Sequence, residues 1–394
     1  MSQVNTVFVD GDIGSQVEEL AGYIAKLKGE TESSLASTQD YSALCDESIA
    51  LLQAVSDKEI EGCYNLLITL LMQLPSDQLP SLLSRVLSSL VSDDRVDKTV
   101  IKMRILSNLY NTLDATSKLR YDVFEALLEI AAKGEELDVL IPELGQLEEG
   151  LRSWGVGVDK RREMFLSVSQ KLQDTDSKLS LQFLIKALAT FDDDASASPD
   201  AATQLAIKAT EQAIRQPDIL AFDDLLRLRA ITKLSGQPLY ALLKIFANGN
   251  LGDYKAWKQQ NAGILEKHNL SDEDNVRKMR LLSLASLGSE NLANEIKYDR
   301  IAQALEISED EVEMWVIDVI RAGLIEAKLN QVAKTVVINR SMFRAFGKEQ
   351  WQLLSSRLDG WRRSLSDVLQ VIGNAKLIAQ QNVVMDVAVN GDAQ

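Results

Sequence analysis

Apolar residues recur along most of this chain at steps of three and four residues, which is the spacing of one face of an α-helix. Two of the clearest stripes are Val100, Met103, Leu106, Leu109 and Leu113, and Leu181, Leu184, Leu188 and Phe191. Each stripe needs a neighbouring element to cover it, because exposed apolar surface is unfavourable in water. The pattern therefore predicts helices of roughly 12 to 18 residues that pack against one another.

Short polar turns separate the predicted helices, as at Asp174–Asp176 and Arg215–Asp218. A helix pair then occupies roughly 35 to 45 residues, which is the repeat length of tetratricopeptide-like and HEAT-like arrays. No tetratricopeptide letter pattern is present, so the repeat is one of shape. We predict a right-handed solenoid of helix pairs from about Tyr41 to Leu287. A first helix over Ile13–Lys28 and a mobile polar loop over Gly29–Gln39 precede it.

After Leu287 the pattern changes to that of a small mixed module. A short helix is predicted over Tyr298–Leu305, and Ser308 with Glu311 has the spacing of a capping box. The helix that follows buries one face and is ended by Gly323. That face consists of Val312, Trp315, Val316, Val319 and Ile320.

Two strands are predicted after this helix. Ile325, Ala327 and Leu329 alternate with polar residues, as in a half-buried strand, and Val336 and Ile338 begin a second strand beyond the turn at residues 330–334. Three helices followed by a two-stranded wing are the layout of a winged-helix module.

The last predicted helix begins near Lys348 and has the most regular pattern of the chain. Its seam at heptad spacing consists of Trp351, Leu354, Leu358, Trp361, Leu365, Val368 and Ile372. Three heptads are about 32 Å long, which is more than one small module can cover. We expect the first turns to fold back on the winged helix and the later part to join a bundle of helices from several subunits.

Composition supports a folded, helical chain. Apolar residues make up 46% and charged residues 25%, as in an ordinary globular protein. Six prolines occur and none follows Pro238, so little interrupts helices over the last third. The fold class predicted from the pattern is therefore all-α, with a small β-wing and a long C-terminal helix.

The formal charge of −16 argues against binding to polyanions. Such a field repels phosphate backbones and anionic lipid surfaces, so we expect neither DNA binding nor membrane binding. The third helix of the winged helix carries one cation, Arg321, among five carboxylates that would oppose docking into a DNA groove. These are Glu309, Asp310, Glu311, Glu313 and Asp318.

One segment, from Lys334 to Arg363, is locally basic. A solvated flank is the plain interpretation of such a charge run. The alternative is a contact with RNA or with an acidic partner surface. The candidate residues for that contact are Arg340, Arg344, Lys348, Arg357, Arg362 and Arg363.

No arrangement of residues predicts catalysis. The single histidine, His268, lies at a polar helix end with no nucleophile beside it in sequence. Gly249 and Gly252 lack the spacing of a phosphate-binding loop, and acidic runs such as Asp192–Asp194 and Ser271–Asp274 are typical of caps and turns. We expect no catalytic site, no cofactor and no metal site.

Cys45 and Cys63 are too few for a disulfide framework and are read as small apolar residues of a reducing compartment. Residues Met1–Asp12 lack the features of a signal peptide, and the apolar run Leu66–Leu74 is too short to span a bilayer. These features predict a cytosolic or nuclear protein.

A helical solenoid followed by a winged helix and a long C-terminal helix resembles the PCI family, which is found in the proteasome lid, the COP9 signalosome and translation initiation factor three. The segments Lys102–Tyr110, Lys278–Leu282 and Phe343–Trp361 are similar in particular to a PCI subunit of the eukaryotic initiation factor. The likeness extends from about Leu66 to Leu369, and its last stretch is the most specific.

The resemblance implies a non-catalytic subunit of a factor that binds the small ribosomal subunit and promotes recruitment of messenger RNA and initiator transfer RNA. Its partners would be other PCI and MPN subunits. The winged helix, near Tyr298 to Arg340, would contact neighbouring subunits in an arc, and Trp351–Ile372 would enter a helical bundle. Direct RNA contact stays open.

The resemblance and the patterns together predict five segments. These are an N-terminal helix and loop (1–40), a helical-repeat domain (41–205), a PCI domain (206–346) with its winged helix at 272–346, a bundle helix (347–380) and a flexible tail (381–394). Other functions remain open on the sequence alone: a scaffold subunit of the signalosome or proteasome lid, a nucleic-acid binder acting through the winged helix, or, more remotely, an enzyme.

Overall fold

The computed structural model describes residues 13–28, 41–53, 57–75, 77–193, 198–292, 294–342, 344 and 348–391, although not the side chains of residues 193, 348–350, 353 and 377–391. Within these ranges helix predominates, and strands occur only near the C-terminal part. The chain divides into two compact units. The first comprises Met1–Gln212 and Leu228–Lys233, and the second comprises Ala213–Arg227 and Leu234–Gln394. The predicted loop Gly29–Gln39 lies outside the described residues.

The helices of the first half follow one another with short connections. They are α1 (Ile13–Lys28), α2 (Tyr41–Glu47), α3 (Asp57–Met72), α4 (Leu79–Ser92), α5 (Thr99–Thr112), α6 (Leu119–Lys133), α7 (Ile141–Leu144), α8 (Leu147–Ser153), α9 (Val158–Lys171), α10 (Ser177–Asp193) and α11 (Pro199–Arg215). The first of these has the bounds that the sequence predicts.

The remaining elements include a sheet and a very long last helix. They are α12 (Asp223–Leu226), α13 (Arg229–Thr232), α14 (Pro238–Asn248), α15 (Leu251–Gln260), α16 (Ile264–Lys267), α17 (Asp272–Glu290), β1 (Glu295–Lys297), α18 (Tyr298–Leu305), α19 (Val312–Arg321), β2 (Ile325–Asn330), β3 (Thr335–Ser341) and α20 (Lys348–Gly391).

In the first unit, helices pack both on their neighbours in sequence and on the helix two further along. The α5 helix packs on α6 and α9 on α10, while α3 also packs on α5 and α4 on α6. This is how helix pairs stack in a repeat, so the prediction of a helical-repeat fold is confirmed.

The predicted stripe on α5 is wrong at one position. Met103, Leu106 and Leu109 are buried, but Val100 is exposed and Ile101 lies in the core instead. The burial of Ile101 follows because α5 packs on α3 as well as on α6, which gives it a wider buried arc than one stripe supplies.

In the second unit, α17 packs on α15, α18, α19 and β3 and so forms the base of the winged helix. The sheet has the antiparallel order β1-β3-β2, and its pairing shifts between Glu326 and Ala327 of β2, where β3 has one extra residue, Asn339. The sequence predicts β2 and β3 but misses β1, a three-residue strand with one inward-facing side chain, Ile296, opposite Val336. The winged helix predicted after the helical region is confirmed.

Local signals around α19 are also confirmed. The Ser308 and Glu311 residues form the predicted capping box, in which the Ser308 N–H donates to the Glu311 carboxylate at 3.0 Å. Gly323 has φ +71°, a left-handed conformation that ends the helix at little cost only for glycine. Strand β2 begins two residues later.

The last helix is longer than predicted. It begins at Lys348, as expected, but continues to Gly391 rather than ending near residue 380. No proline occurs in this stretch and no glycine lies between Gly373 and Gly391, so nothing in the backbone chemistry stops the helix earlier. Residues 392–394 lie outside the described part. Among the residues that the structure describes, no helix is both long enough and apolar enough to cross a membrane.

Two buried lysines occur in the same five-residue pattern, Lys-Met-Arg followed by Ile-Leu or Leu-Leu. On α5, Lys102 donates to the carbonyl oxygens of Asp93 (2.7 Å) and Arg95 (3.3 Å) just beyond α4, and it pairs with the Asp93 carboxylate at 2.6 Å. The carbonyl groups at a helix end have no partner within the helix, and a cation there also complements the helix dipole. The pattern thus places a lysine where it caps another helix.

The equivalent residue of the second unit is Lys278 on α17. Its Nζ donates to the carbonyl oxygens of Ala213 and Gln216, both at 2.7 Å, at the end of α11. The ammonium also lies 5.1 Å from the centroid of the Phe222 ring and 5.8 Å from that of Phe246. Burial lowers the pKa of Lys278 to about 7.

We predict that Lys278→Met lowers the free energy of unfolding by about 2 kcal/mol or more, because the change leaves buried carbonyl groups without a donor. Urea denaturation followed by circular dichroism measures this. Lys267→Met, which removes the same charge from an exposed position, is the control and should leave the midpoint in place. Equal midpoints for the two variants would contradict the capping role.

The effect of Lys278→Met should also depend on pH. Between pH 7 and the ordinary pKa of 10.5, the unfolded chain binds a proton at Lys278 that the folded chain does not, so this group makes stability rise with pH. The methionine variant lacks that rise. The stability lost on substitution should therefore be larger at about pH 9.5 than at about pH 6.5. If the stability lost on substitution became smaller as the pH rises, the prediction would be contradicted.

Candidate functional site

The seam predicted on α20 lies on the surface of the chain. Its seven side chains are between 39% and 68% exposed, and so are two further apolar neighbours, Leu369 (68%) and Val371 (67%). The seven are Trp351, Leu354, Leu358, Trp361, Leu365, Val368 and Ile372. This set of nine apolar side chains is the candidate site, here called the α20 face.

The expectation that the first turns of α20 are buried on the winged helix is wrong, because Trp351 is 62% exposed. The winged helix uses its main apolar face internally. Val312, Trp315 and Val319 of α19 are all buried in the second unit, where this helix packs on α17. All nine side chains of the α20 face therefore expose apolar surface.

An apolar face of this size is unusual for a helix that stays in water. Burying one Leu, Val or Ile side chain fully contributes roughly 1.5 to 3 kcal/mol. Nine such side chains, each about half exposed, leave on the order of 10 kcal/mol unrealised, which is comparable to the stability of a whole domain. Gly360 and Gly373 weaken the helix further by about 1 kcal/mol each. The arrangement favours a helix that is completed by a partner.

Sequence reasoning missed Leu369 and Val371. They lie beside the heptad seam and not on it, so a search for heptad positions alone passes over them. A comparison of equivalent heptad positions could have found them. Leu369 lies one heptad after Arg362, and Val371 lies two heptads after Arg357, so each is apolar where the earlier turns are charged. They widen the α20 face in its second half.

The predicted basic contact residues do not form one cluster. Arg340 pairs with Glu326 on the wing at 3.0 Å, and Arg357, Arg362 and Arg363 are exposed on α20. The side chain of Lys348 lies outside the described part of the chain. The exposed cations of α20 are thus the ones that could meet a partner.

The sixth predicted residue, Arg344, is not a surface contact. It is buried, and it donates from Nε to Ser286 Oγ and from Nη1 to the Gly249 carbonyl oxygen, both at 2.7 Å. Burial lowers the pKa of Arg344 to about 10. The physical reason for the correction is that the guanidinium supplies donors to groups of α17 and of the end of α14.

The carboxylates of α19 and of the turn before it are engaged by groups of the same unit. Glu309 pairs with Lys334 at 3.0 Å, Asp318 pairs with Arg277 at 3.2 Å, and Glu313 accepts a hydrogen bond from the Tyr298 hydroxyl at 3.2 Å. Two apolar side chains of α19, Met314 and Ile317, are exposed. This face suits a protein contact better than a phosphate backbone.

Three side chains whose chemistry could serve catalysis are those of His268, Cys45 and Cys63. His268 accepts a hydrogen bond at its backbone oxygen from Arg215 at 3.0 Å. Burial raises the pKa of the Cys45 thiol to about 12 and that of Cys63 to about 11, so neither is a reactive thiolate at neutral pH. Among the described residues, no group of three or more His, Cys, Asp or Glu is placed to hold a metal ion.

Two family models match the C-terminal part of the chain. Residues 258–340 match the family model described as "PCI domain", and residues 344–372 match the one described as "eIF3 subunit M, C-terminal helix". The second match covers the whole α20 face.

Curated relatives match over most of the chain. Eukaryotic translation initiation factor 3 subunit M of Phaeosphaeria nodorum is 38% identical over 391 residues, which cover 93% of this chain and 88% of the relative. The protein of the same name from Dictyostelium discoideum is 34% identical, with 82% and 80% covered. That of Homo sapiens is 28% identical, with 92% and 96% covered.

We predict that a chain ending at Gly347 keeps its fold. Since the α20 face is exposed, its removal should leave the thermal midpoint within about 2 °C of that of the full chain, as measured by circular dichroism. Arg344→Met in the full chain is the matched comparison, because it removes buried hydrogen bonds and should lower the midpoint clearly. If the truncated chain had a lower thermal midpoint than the Arg344→Met variant, α20 would be part of the core and the prediction would be wrong.

Proposed function

The chain belongs to the family of eukaryotic translation initiation factor 3 subunit M, and from this premise we propose that it is a non-catalytic structural subunit that α20 joins to its complex. The single observation that carries the proposal is the exposed α20 face. A seam of large apolar side chains on an otherwise folded chain is typical of a protein–protein interface.

The proposed partners are the other PCI and MPN subunits of the initiation factor. The α20 face would enter a helical bundle with some of them, while the winged helix would contact a neighbouring subunit through surfaces such as the one that exposes Met314 and Ile317. Through the assembled factor, the chain would act on the small ribosomal subunit and promote recruitment of messenger RNA and initiator transfer RNA.

The proposal assigns the chain no reaction. A catalytic site needs a nucleophile or base, a group that orients it and a place for substrate. The half-buried His268 and the high-pKa thiols of Cys45 and Cys63 supply none of these roles. Because translation initiation takes place on cytoplasmic ribosomes, the proposed function implies a cytoplasmic location.

We also propose the helical-repeat domain (41–205) and the PCI domain (206–346) expected from the sequence, followed by a bundle helix that continues to Gly391. The match to the PCI family at residues 258–340 falls within the expected domain at 206–346, and the helix match at 344–372 overlaps the expected bundle helix at 347–380. The family membership of the relatives supports the initiation factor over the signalosome or the proteasome lid as the complex that this chain joins.

We predict that an affinity-tagged chain recovers initiation factor subunits and small ribosomal subunits from cells, and that Leu358→Lys with Leu365→Lys reduces this recovery by about tenfold or more, because two charges would be buried in the bundle. Quantitative mass spectrometry measures the recovery.

The matched control is Ser356→Lys with Gln370→Lys. It adds the same two charges to the same helix, on the side opposite the seam, and should leave recovery unchanged. Full recovery with the seam variant would contradict the proposal, and so would recovery of signalosome or proteasome subunits in place of initiation factors.

A further inference from the structure

The first unit has a cavity of about 270 Å³, lined by residues of α5, α6 and α8 and of the turns beside them. One side of this cavity is aromatic. The Tyr110 and Phe124 ring centroids lie 6.4 Å apart, and the Trp154 ring centroid lies 6.0 Å from that of Tyr110 and 6.3 Å from that of Phe124. Phe124 and Trp154 are buried, and Tyr110 is half-buried. Since each ring packs on the other two, the aromatic side is preformed.

A cation already lies over one of these rings. The Arg120 guanidinium carbon is 4.5 Å from the Tyr110 ring centroid, and Arg120 Nη2 donates to the Leu113 carbonyl oxygen at 2.8 Å. The charge of Arg120 is thus engaged by a ring and by a carbonyl group. A second cation inside the cavity would be repelled, so the interior suits an uncharged side chain.

The rim of the cavity is acidic. Glu143 and Glu149 both line it, and both are exposed. Neither carboxylate forms an ion pair with a residue that the structure describes. Gln146 and Ser153 add uncharged polar groups to the lining. Negative charge therefore lies at the mouth of the cavity, and aromatic surface lies deeper.

The acidic rim belongs to a longer acidic segment. Residues 122–149 contain nine carboxylates and one cation, Lys133, so this short stretch has a net charge of −8 in a chain of −16. The field of such a segment attracts basic molecules and repels phosphate backbones. Charge complementarity thus favours a basic protein segment over RNA as the occupant of the cavity.

We propose that this cavity, here called the Tyr110 pocket, binds a basic segment of another protein. One aromatic side chain of that segment enters the cavity beside Tyr110, and its lysine or arginine residues lie against Glu143 and Glu149. The inference goes beyond the proposed function, because the site lies in the first unit and does not involve α20. It gives the first unit a protein contact of its own.

The size of the Tyr110 pocket favours a single side chain over a cofactor or metabolite. Sites for small molecules usually occupy about 300 to 1,000 Å³, and this cavity is smaller. Aromatic side chains are common anchors of protein interfaces, where they fill pockets surrounded by polar groups. An inserted ring can pack edge-to-face on Tyr110, as the Trp154 ring does at an interplanar angle of 79°.

Three blocked tripeptides test the ring and the charges separately. Lys-Trp-Lys has both, Glu-Trp-Glu has the ring with the opposite charges, and Lys-Ala-Lys has the positive charges alone. Ligand-observed NMR titrations with the full chain measure the three dissociation constants. We expect Lys-Trp-Lys to bind about tenfold more tightly than either of the other two. If Lys-Ala-Lys or Glu-Trp-Glu bound as tightly as Lys-Trp-Lys, the inference would be overturned.

Photocrosslinking locates the bound ring. A photoreactive phenylalanine analogue replaces the tryptophan of Lys-Trp-Lys, and mass spectrometry identifies the crosslinked residues of the full chain. We expect crosslinks at residues that line the Tyr110 pocket, such as Ala115, Gln146 and Ser153. Crosslinks found mainly on the α20 face would mean that the peptide binds exposed apolar surface in general, and this result would also overturn the inference.

Neutral variants of the rim test the role of its charges. Glu143→Gln with Glu149→Gln should weaken the binding of Lys-Trp-Lys by about tenfold, because two attractive contacts are lost. The matched control is Glu135→Gln with Asp138→Asn, which removes two exposed carboxylates of the same acidic segment that do not line the pocket. The control should change the affinity by less than about twofold. Equal losses for the two pairs would mean that the peptide responds only to the overall field, and would exclude the Tyr110 pocket as its site.

Discussion

The exposed apolar face of α20 is the constraint on which the functional account depends. A folded chain covers its large apolar side chains wherever its own elements allow it, because each buried side chain contributes favourably. In the body of this protein that requirement is met: α3, α5 and α6 cover one another, and α19 packs on α17. On α20 it is not met within the chain. We propose that another molecule supplies the unmet part, and that α20 in this way joins the chain to its complex.

The rest of the second unit prepares α20 for that role. Lys278 caps the end of α11 from α17, and Arg344 joins the segment before α20 to Ser286 and to the end of α14. These are buried cations whose donors satisfy carbonyl and hydroxyl groups that would otherwise lie unpaired. Arg344 thereby contacts both α14 and α17 of the second unit.

Much of the fold could be predicted from the sequence, because its signals are local. The capping box at Ser308 and the helix end at Gly323 are set by neighbouring residues, and the seam of α20 repeats often enough to be unambiguous. Longer-range effects were not predictable. Strand β1 depends on pairing with β3, 40 residues away in sequence, and carries one apolar side chain. Arg344 looks like its basic neighbours in sequence, and only the fold shows that it is buried.

The most direct test is hydrogen–deuterium exchange of residues 351–372 in the isolated chain and in the assembled initiation factor, with α17 as the internal reference. If partner helices cover the α20 face, amide exchange in this segment should slow by about a hundredfold or more on assembly, while α17 is protected in both states. Equal exchange of the segment in the free chain and in the complex would contradict the account, because it would mean that nothing covers the face.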